Sequence, residues 1–463
     1  MKPLQSGRCL FRKPAVTAAR FQPLAPHRSA PGIPDVTGRA GRYGIPEARM
    51  PQCCGSNLHP RRKRSPESRL PRVHHQGSQL EMILEMIRRH LIFALVLFWP
   101  AMLSAAHSPI PAPPSFSASS YILQDANSGR VLAEKNADER LEPASITKLM
   151  TTYVVYKALA DGHIGIDDPV LVSEKAWRME GSRMFIEVGK RVSVDDLIKG
   201  VVIQSGNDAS VALAEHIAGS ESVFADMMNA EARALGLKNS HFTNATGLPG
   251  ADHYMSARDI ATLSAALIRD FPEEYAVYSE KNFDFNGITQ HNRNKLLWSD
   301  EAVDGLKTGH TKSAGYCLAA SAEHDGMRLI SVVMGTDSAR ARATHSQALL
   351  SYGFRFYETH RIYEVGEELA LPRVWKGEQE NVPVGPEETL YVTIPRGQYD
   401  SLKARMELGA RVIAPLGRGQ PVGEAVVSLE GEEIERQPLV ALQPVPEGGL
   451  WRQAVDTVLL WLE

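Results

Sequence analysis

Three short polar motifs stand in a fixed order in this chain: Ser145-Ile146-Thr147-Lys148, Ser205-Gly206-Asn207 and Lys307-Thr308-Gly309. At average composition a Ser-x-x-Lys arises by chance about once or twice in a chain this long, and a Lys-Thr-Gly in roughly one chain in ten. Each alone has an ordinary explanation: a helix cap with a surface lysine, a polar turn, a strand end. All three in order are hard to obtain by accident. Together they offer a nucleophile, a base, a proton relay and an anion-holding cation.

Residues three apart on a helix share a face, so Ser145 and Lys148 are neighbours. A serine hydroxyl is a weak nucleophile until a neighbour takes its proton, and a lysine can take it only when neutral. Burial and a second cation both depress an amine's pKa; Lys307 is the expected second cation. The helix N-terminus favours negative charge forming at Ser145. Ser205 is expected to relay a proton between Lys148 and a leaving group, and Asn207 to hold Lys148 and meet a substrate amide. Gly309, at a strand edge, would let a peptide-like substrate approach the backbone and add as an extra strand. Lys307 and Thr308 can bind a carboxylate. Backbone N–H groups near His310 and at Ser145 can form an oxyanion hole. For the His310 side chain two roles stay open, catalytic support and shaping of the cleft.

The elements that must position these groups are legible in outline. A hairpin is expected from Tyr121–Gln124 and Arg130–Ala133 around Asn127-Ser128-Gly129. Pro143-Ala144-Ser145 signals a helix start, and Leu149 to Tyr156 is apolar nearly all round, as in a buried helix. Helical patterns on either side leave Ser205-Gly206-Asn207 as a loop, with Asp208 as the cap of the second helix. Another helix is expected from near Ala257. The third motif ends a short extended segment, Val303 to Leu306. Strands Tyr316–Ala322 and Leu329–Gly335 pair antiparallel through Glu323-His324-Asp325-Gly326, and a helix from about Ala341 to Tyr352 closes the unit. Helices around an antiparallel sheet make an α+β class, not a Rossmann arrangement. After about Ile362, β-like pieces alternate with Gly and Pro, which reads as a small all-β domain of roughly eighty residues. From Leu450 the chain turns helical again, with Leu450, Trp451, Ala454, Val455, Val458, Leu459 and Leu462 on one broad face. That helix either packs on its own domain or lies in a membrane interface; two tryptophans and the terminal position favour the interface.

The 463 residues carry a formal net charge of -3, which gives no global acidic or basic excess. The balance is uneven, because residues up to about Leu80 are rich in Arg, Pro, Gly, Ser and His. The run Arg61-Arg62-Lys63-Arg64 would suit a nucleic acid, but no aromatic residues interleave it and no periodic apolar face exists. A disordered leader is the expectation, with no nucleic-acid partner. Met86 to His90 then forms a basic n-region, Leu91 to Phe98 an apolar h-region, and Ser104-Ala105-Ala106 a cleavage site, the layout of a secretory signal peptide. The apolar stretch is shorter than the ~20 residues of a spanning helix. Translation is expected to start at Met82 or Met86 and the mature protein to be exported. The expected organisation is leader 1–85, signal peptide 86–106, linker 107–120, catalytic domain 121–360, β-rich domain 361–446 and amphipathic helix 449–463. Cys9, Cys53 and Cys54 fall in the leader. Cys317 is alone in the mature part, so neither an intramolecular disulfide nor a cysteine-based metal site is possible there. In the alternating strand Tyr316–Ala320 it reads as a buried small hydrophobe.

With these motifs in place, the chain resembles the low-molecular-mass penicillin-binding proteins, the serine-type D-alanyl-D-alanine carboxypeptidases. The resemblance is carried by Ser145 to Thr151, Gln204 to Ala209, Asp304 to Thr311, His291-Asn292-Arg293-Asn294 and Gly353-Phe354-Arg355-Phe356. It runs from about Tyr121 to the C-terminus. It implies a β-lactamase/transpeptidase-like domain, a β-rich domain and a membrane-surface helix on the periplasmic face of the inner membrane. It further implies that Ser145 attacks the peptide bond between two terminal D-alanines of a peptidoglycan stem peptide and that β-lactam antibiotics acylate it. No metal or cofactor is called for. Arg293, Arg340 and Arg342 lie where family arginines help bind the substrate carboxylate. The chain departs from the family pattern in the short segment Arg178 to Arg183, which borders the site and bears on substrate preference. Three alternatives remain at this stage: a β-lactamase, a D-alanyl-D-alanine endopeptidase, and a non-catalytic wall-binding protein. No Glu-x-x-x-Asn between the second and third motifs supports the first, and the complete motif set argues against the last.

Overall fold

The computed structural model describes residues 110–462, together with Glu85, Met86 and Arg88, which are helical. The expected leader and signal peptide otherwise lie outside the described residues. Strands β1 (Ser120–Asp125) and β2 (Val131–Lys135) form the expected hairpin. They join β3 (Val303–Thr311), β4 (Gly315–His324) and β5 (Met327–Thr336) in an antiparallel sheet ordered β2-β1-β5-β4-β3. Side chains alternate across it with the two-residue period of a strand. Ile122, Leu306, Cys317, Ala319, Ile330 and Val332 enter one core, and Tyr121, Leu123, Leu318, Ala320, Leu329 and Val333 the other. Cys317 is buried and unpaired, as its place in the alternation predicts.

The first core is filled by α1 (Lys148–Ala160), α2 (Asn207–Ala218), α3 (Glu221–Ala234) and α4 (Ala257–Asp270), and the second by α5 (Ala339–Phe356). The α+β arrangement of helices around an antiparallel sheet is therefore present. Leu149 to Tyr156 is buried throughout. Its two threonines are hydrogen-bonded: Thr151 donates to the Ala245 carbonyl at 2.7 Å, and Thr152 to the Lys148 carbonyl at 2.9 Å. Residues 110–118, read as linker, pack on the second core, where the Phe116 ring stacks on His345 at 4.6 Å.

Two local readings need correction. β3 does not stop at Leu306; it runs through Lys307, Thr308 and Gly309 to Thr311, in register with Ala319, Leu318 and Cys317 of β4. The motif thus lies inside an edge strand. Asp208 is not the cap of α2. Gly206 holds that position, and the Asp208 carboxylate instead accepts the backbone N–H groups of Met184, Phe185 and Ile186 at 3.0, 2.9 and 3.3 Å.

Beyond Tyr357 the chain is β-rich. Val384–Pro386, Leu402–Leu408, Pro421–Leu429 and Glu432–Ala441 form a four-stranded sheet over a core that includes Val374, Val392, Ile394, Val427 and Leu439. Thr359 donates to Asp125 at 2.7 Å and Arg130 to the Thr393 carbonyl at 2.5 Å, so this part is held to the β1–β2 hairpin. The last helix, α6 (Leu450–Leu462), turns its apolar residues outward: Leu450, Trp451 and Trp461 are more than four-fifths exposed. Its buried residue is Asp456, which accepts the Lys376 N–H at 2.6 Å and an Arg373 N–H at 3.1 Å.

Candidate active site

Ser145 sits in a 3-10 turn, Ala144–Thr147, that runs directly into α1 at Lys148. The turn keeps the two side chains together: Lys148 Nζ is 3.0 Å from Ser145 Oγ. Lys148 is 0% exposed, and its amine also donates to Asn207 Oδ1 at 2.7 Å and to the Thr246 carbonyl at 2.6 Å. Burial is the main force on its pKa, which is lowered to about 7; the Arg293 guanidinium lowers it further, against the opposing pull of Asp208 and Glu221. A neutral amine has two N–H bonds and one lone pair. With Asn207 and Thr246 taking the two bonds, the lone pair is left for the Ser145 hydroxyl.

Ser205 follows a π-helical turn, Gly200–Gln204, and adopts the left-handed conformation at φ 65°. Its Oγ is buried and has no hydrogen-bond partner among the described residues. Asn207 bridges two walls: besides holding Lys148, its Nδ2 donates to the Glu180 carbonyl at 2.6 Å and its backbone N–H to that of Ser182 at 2.7 Å. The short segment 178–183 is thereby tied to the second motif.

Lys307 is 2% exposed, with its amine 3.3 Å from the Thr308 carbonyl. Burial first, and then Lys148, Arg293 and Arg342, hold its pKa well below the usual lysine range. Arg293 is a further cation acting on Lys148, and the expected mutual repulsion of Lys148 and Lys307 is present as well. Gly309 has a packing role besides the expected one. An added Cβ would lie 2.7 Å from the Pro143 carbonyl oxygen and 3.1 Å from Ile146 Cγ1. Its bareness lets β3 press against the nucleophile's own turn, and the residue lines the cleft as well.

These groups converge on one cleft of about 490 Å³ lined by Ser145, Ser205, Asn207, Arg293, Thr308, Gly309, His310 and Arg342, with Lys148 and Lys307 buried beside them. His310 is exposed at the rim, its ring 4.0 Å from that of Tyr316. Arg342 is buried and donates to the Gly309 carbonyl at 2.9 Å, which anchors the strand it faces. Arg340 is exposed in the first turn of α5 and does not line the cleft. Motif reading missed Thr246, Gly247, Leu248 and Tyr316 in the lining, whereas Gly181 and Ser182 belong to the segment expected to border the site. Asn244-Ala245-Thr246-Gly247 carried a usable signal: Asn at the first and Gly at the fourth position of a four-residue stretch favour a turn, and Asn244 Oδ1 accepts the N–H groups of Thr246 and Gly247 at 3.0 and 2.8 Å. Among the described residues lining the cleft, Arg293 and Arg342 carry positive charge and none is a carboxylate.

Comparison with known proteins agrees with this geometry. Residues 107–338 match the D-alanyl-D-alanine carboxypeptidase family profile, and residues 357–447 that of the penicillin-binding protein 5 C-terminal domain. The D-alanyl-D-alanine carboxypeptidase DacA of Escherichia coli is 47% identical over 375 residues, covering 78% of this chain and 93% of that protein. DacC of the same organism is 47% identical over 374 residues, covering 79% and 93%. The structure of penicillin-binding protein 5 from Haemophilus influenzae superposes with a TM-score of 0.69 at 46% identity, covering 73% of this chain and all of that one. With both domain profiles matched in order and nearly the full length of these relatives covered, the chain belongs to the D-alanyl-D-alanine carboxypeptidase family.

Proposed function

We propose that this protein is a serine-type carboxypeptidase that removes the terminal D-alanine from peptidoglycan stem peptides through an acyl-enzyme on Ser145. The observation that carries the reading is the buried, neutral-poised Lys148 amine 3.0 Å from Ser145 Oγ. Lys148 takes the hydroxyl proton as Oγ attacks the carbonyl between the two D-alanines. Backbone N–H groups at Ser145 and His310 receive the developing oxyanion. Ser205 passes the proton on to the departing amine of D-alanine, and water then hydrolyses the ester. Thr308 and Lys307, with Arg293, hold the substrate's terminal carboxylate. An arriving carboxylate favours the charged form of Lys307 and so restores the cation that burial suppresses. Arg342 supports this wall through Gly309, and Arg340 has no part in it. Residues 121–360 are the catalytic domain and 361–446 the β-rich domain.

A β-lactam presents a strained carbonyl beside a carboxylate and should acylate the same serine. Among the described residues the lining holds no carboxylate of the kind a β-lactamase adds to speed water's attack on the penicillin adduct, which disfavours a β-lactamase. An endopeptidase reading has no specific observation in its favour. The outward apolar face of α6 supports peripheral attachment to the periplasmic face of the inner membrane after export. No described helix is long and apolar enough to cross a membrane.

The test is a direct assay of the mature chain on three substrates. The expected result is D-alanine release from a pentapeptide, with slower cleavage of a cross-linked dimer and at most a few turnovers of penicillin. Rapid penicillin turnover without D-alanine release would overturn the reading.

A further inference from the structure

Thr147 lies between the nucleophile and the base, is fully buried, and has no part in the chemistry above. Its Oγ1 stands 2.8 Å from Nε2 of His253, which is 4% exposed. The other ring nitrogen, Nδ1, accepts the Thr243 backbone N–H at 3.1 Å. An accepting imidazole nitrogen carries no proton, so the proton of the neutral ring is on Nε2 and is donated to Thr147.

The loop from Thr243 to His253 is the one whose Thr246 carbonyl holds Lys148. α1 and the turn before it grip that loop at three points: Thr147 at His253, Lys148 at the Thr246 carbonyl, and Thr151 at the Ala245 carbonyl. The loop has further anchors. Glu221 accepts the Ala245 N–H at 3.1 Å, and Asn229 the Phe242 N–H at 2.9 Å. The fold of the loop therefore does not hang on His253 alone. What His253 adds is the bond that ends on the turn carrying Ser145. The approach there is tight: a Cβ on Gly247 would fall 1.8 Å from the Ala144 carbonyl oxygen and 2.8 Å from Thr147 Oγ1.

We infer that His253 is a positioning residue for acylation: by donating to Thr147 it locks the turn Ala144–Thr147 onto the Thr246 loop and so sets the distance between Ser145 and Lys148. The inference rests on the reading of Ser145 as nucleophile and Lys148 as its base.

Rapid-mixing acylation by a fluorescent penicillin separates the dissociation constant of the initial complex from the acylation rate constant. His253→Gln retains an N–H able to reach Thr147. His253→Asn retains an acceptor for Thr243 but falls short of Thr147. Thr147→Val removes the hydroxyl with little change of shape. The Asn and Val variants should acylate about 10–100-fold more slowly with the dissociation constant unchanged, because a small misplacement acts on the chemical step. The Gln variant should stay within about threefold of the parent, and the Asn/Val double variant should be no slower than either single one, as for two partners in one bond. Equal rates for Gln and Asn, or a multiplicative double variant, would overturn the inference. So would a lowered melting temperature with an unchanged rate per labelled site. If the histidine variants do not fold, Thr147→Val decides alone: an unchanged rate constant refutes the proposal. A parent protein that is not labelled at Ser145 instead refutes the underlying reading.

Discussion

A lysine acting as a base at neutral pH has to be kept uncharged, and at Lys148 the chain does so mainly by burial. The same burial would be prohibitive without partners, and Asn207 and Thr246 supply them. The pKa is lowered to about 7, so the reactive, deprotonated fraction grows as pH rises through that value. The acylation rate should therefore fall about tenfold per pH unit below about 7 and level off above it. A fluorescent-penicillin rate profile from pH 5 to 9 checks this; an acid limb near pH 4 would point to a carboxylate base instead. Asn207→Ala removes one of the two acceptors and lets the amine turn away from Ser145, for an expected loss of about 10–100-fold in acylation with modest change in initial binding. Ser145, Lys148, Ser205 and Asn207 were legible in the sequence because their chemistry needs particular side chains at short spacing. Thr246 was not, since it contributes a backbone carbonyl, which any residue type could supply.

Among the elements, the buried α1 and the β4–β5 hairpin were legible, because a run apolar on all sides and a strict alternation each have one structural reading. Less legible was the extent of β3. Lys307, Thr308 and Gly309 look like a strand end by composition; the ladder to β4 carries them on to Thr311. Asp208 shows the same limit. Its type and place suit a helix cap, but a capping reading cannot foresee three N–H groups from residues 184–186 converging on it. Gly309 and Gly247 are the contact points of the site's elements. Gly309→Ala would force β3 away from the Ser145 turn, with an expected destabilisation of about 1–3 kcal/mol and a loss of acylation larger than the loss of stability. Thermal melts beside penicillin-labelling rates measure both; a normal melt with normal labelling would show that the close packing is dispensable. Gly247→Ala, with its Cβ closer still and a positive φ of 81°, should be the more severe of the two.

On the scale of the whole molecule, the catalytic half and the β-rich half meet through the β1–β2 hairpin, and α6 leaves the far domain with its apolar face uncovered. A helix that buries its one acidic residue and exposes its tryptophans is inverted relative to a core helix. That inversion is the observation behind the proposal that the terminal segment lies in a membrane interface. The chain ending at Gly449 should stay in solution with phospholipid vesicles and keep its D-alanine release. The chain carrying α6 should co-sediment with them, and a Trp451→Ala, Trp461→Ala pair should weaken that binding about tenfold or more, given the apolar area withdrawn. Equal sedimentation with and without the helix would remove its proposed role.

The central claim is that Ser145, activated by Lys148, forms the acyl-enzyme. Its most direct test is the mass-spectrometric location of the adduct after a short penicillin incubation of the mature protein and acid-quenched digestion. The account predicts one stoichiometric adduct on Ser145, absent in Ser145→Ala and slow to form in Lys148→Met. A stoichiometric adduct on Ser205 or on any other residue, or none at all, would contradict it.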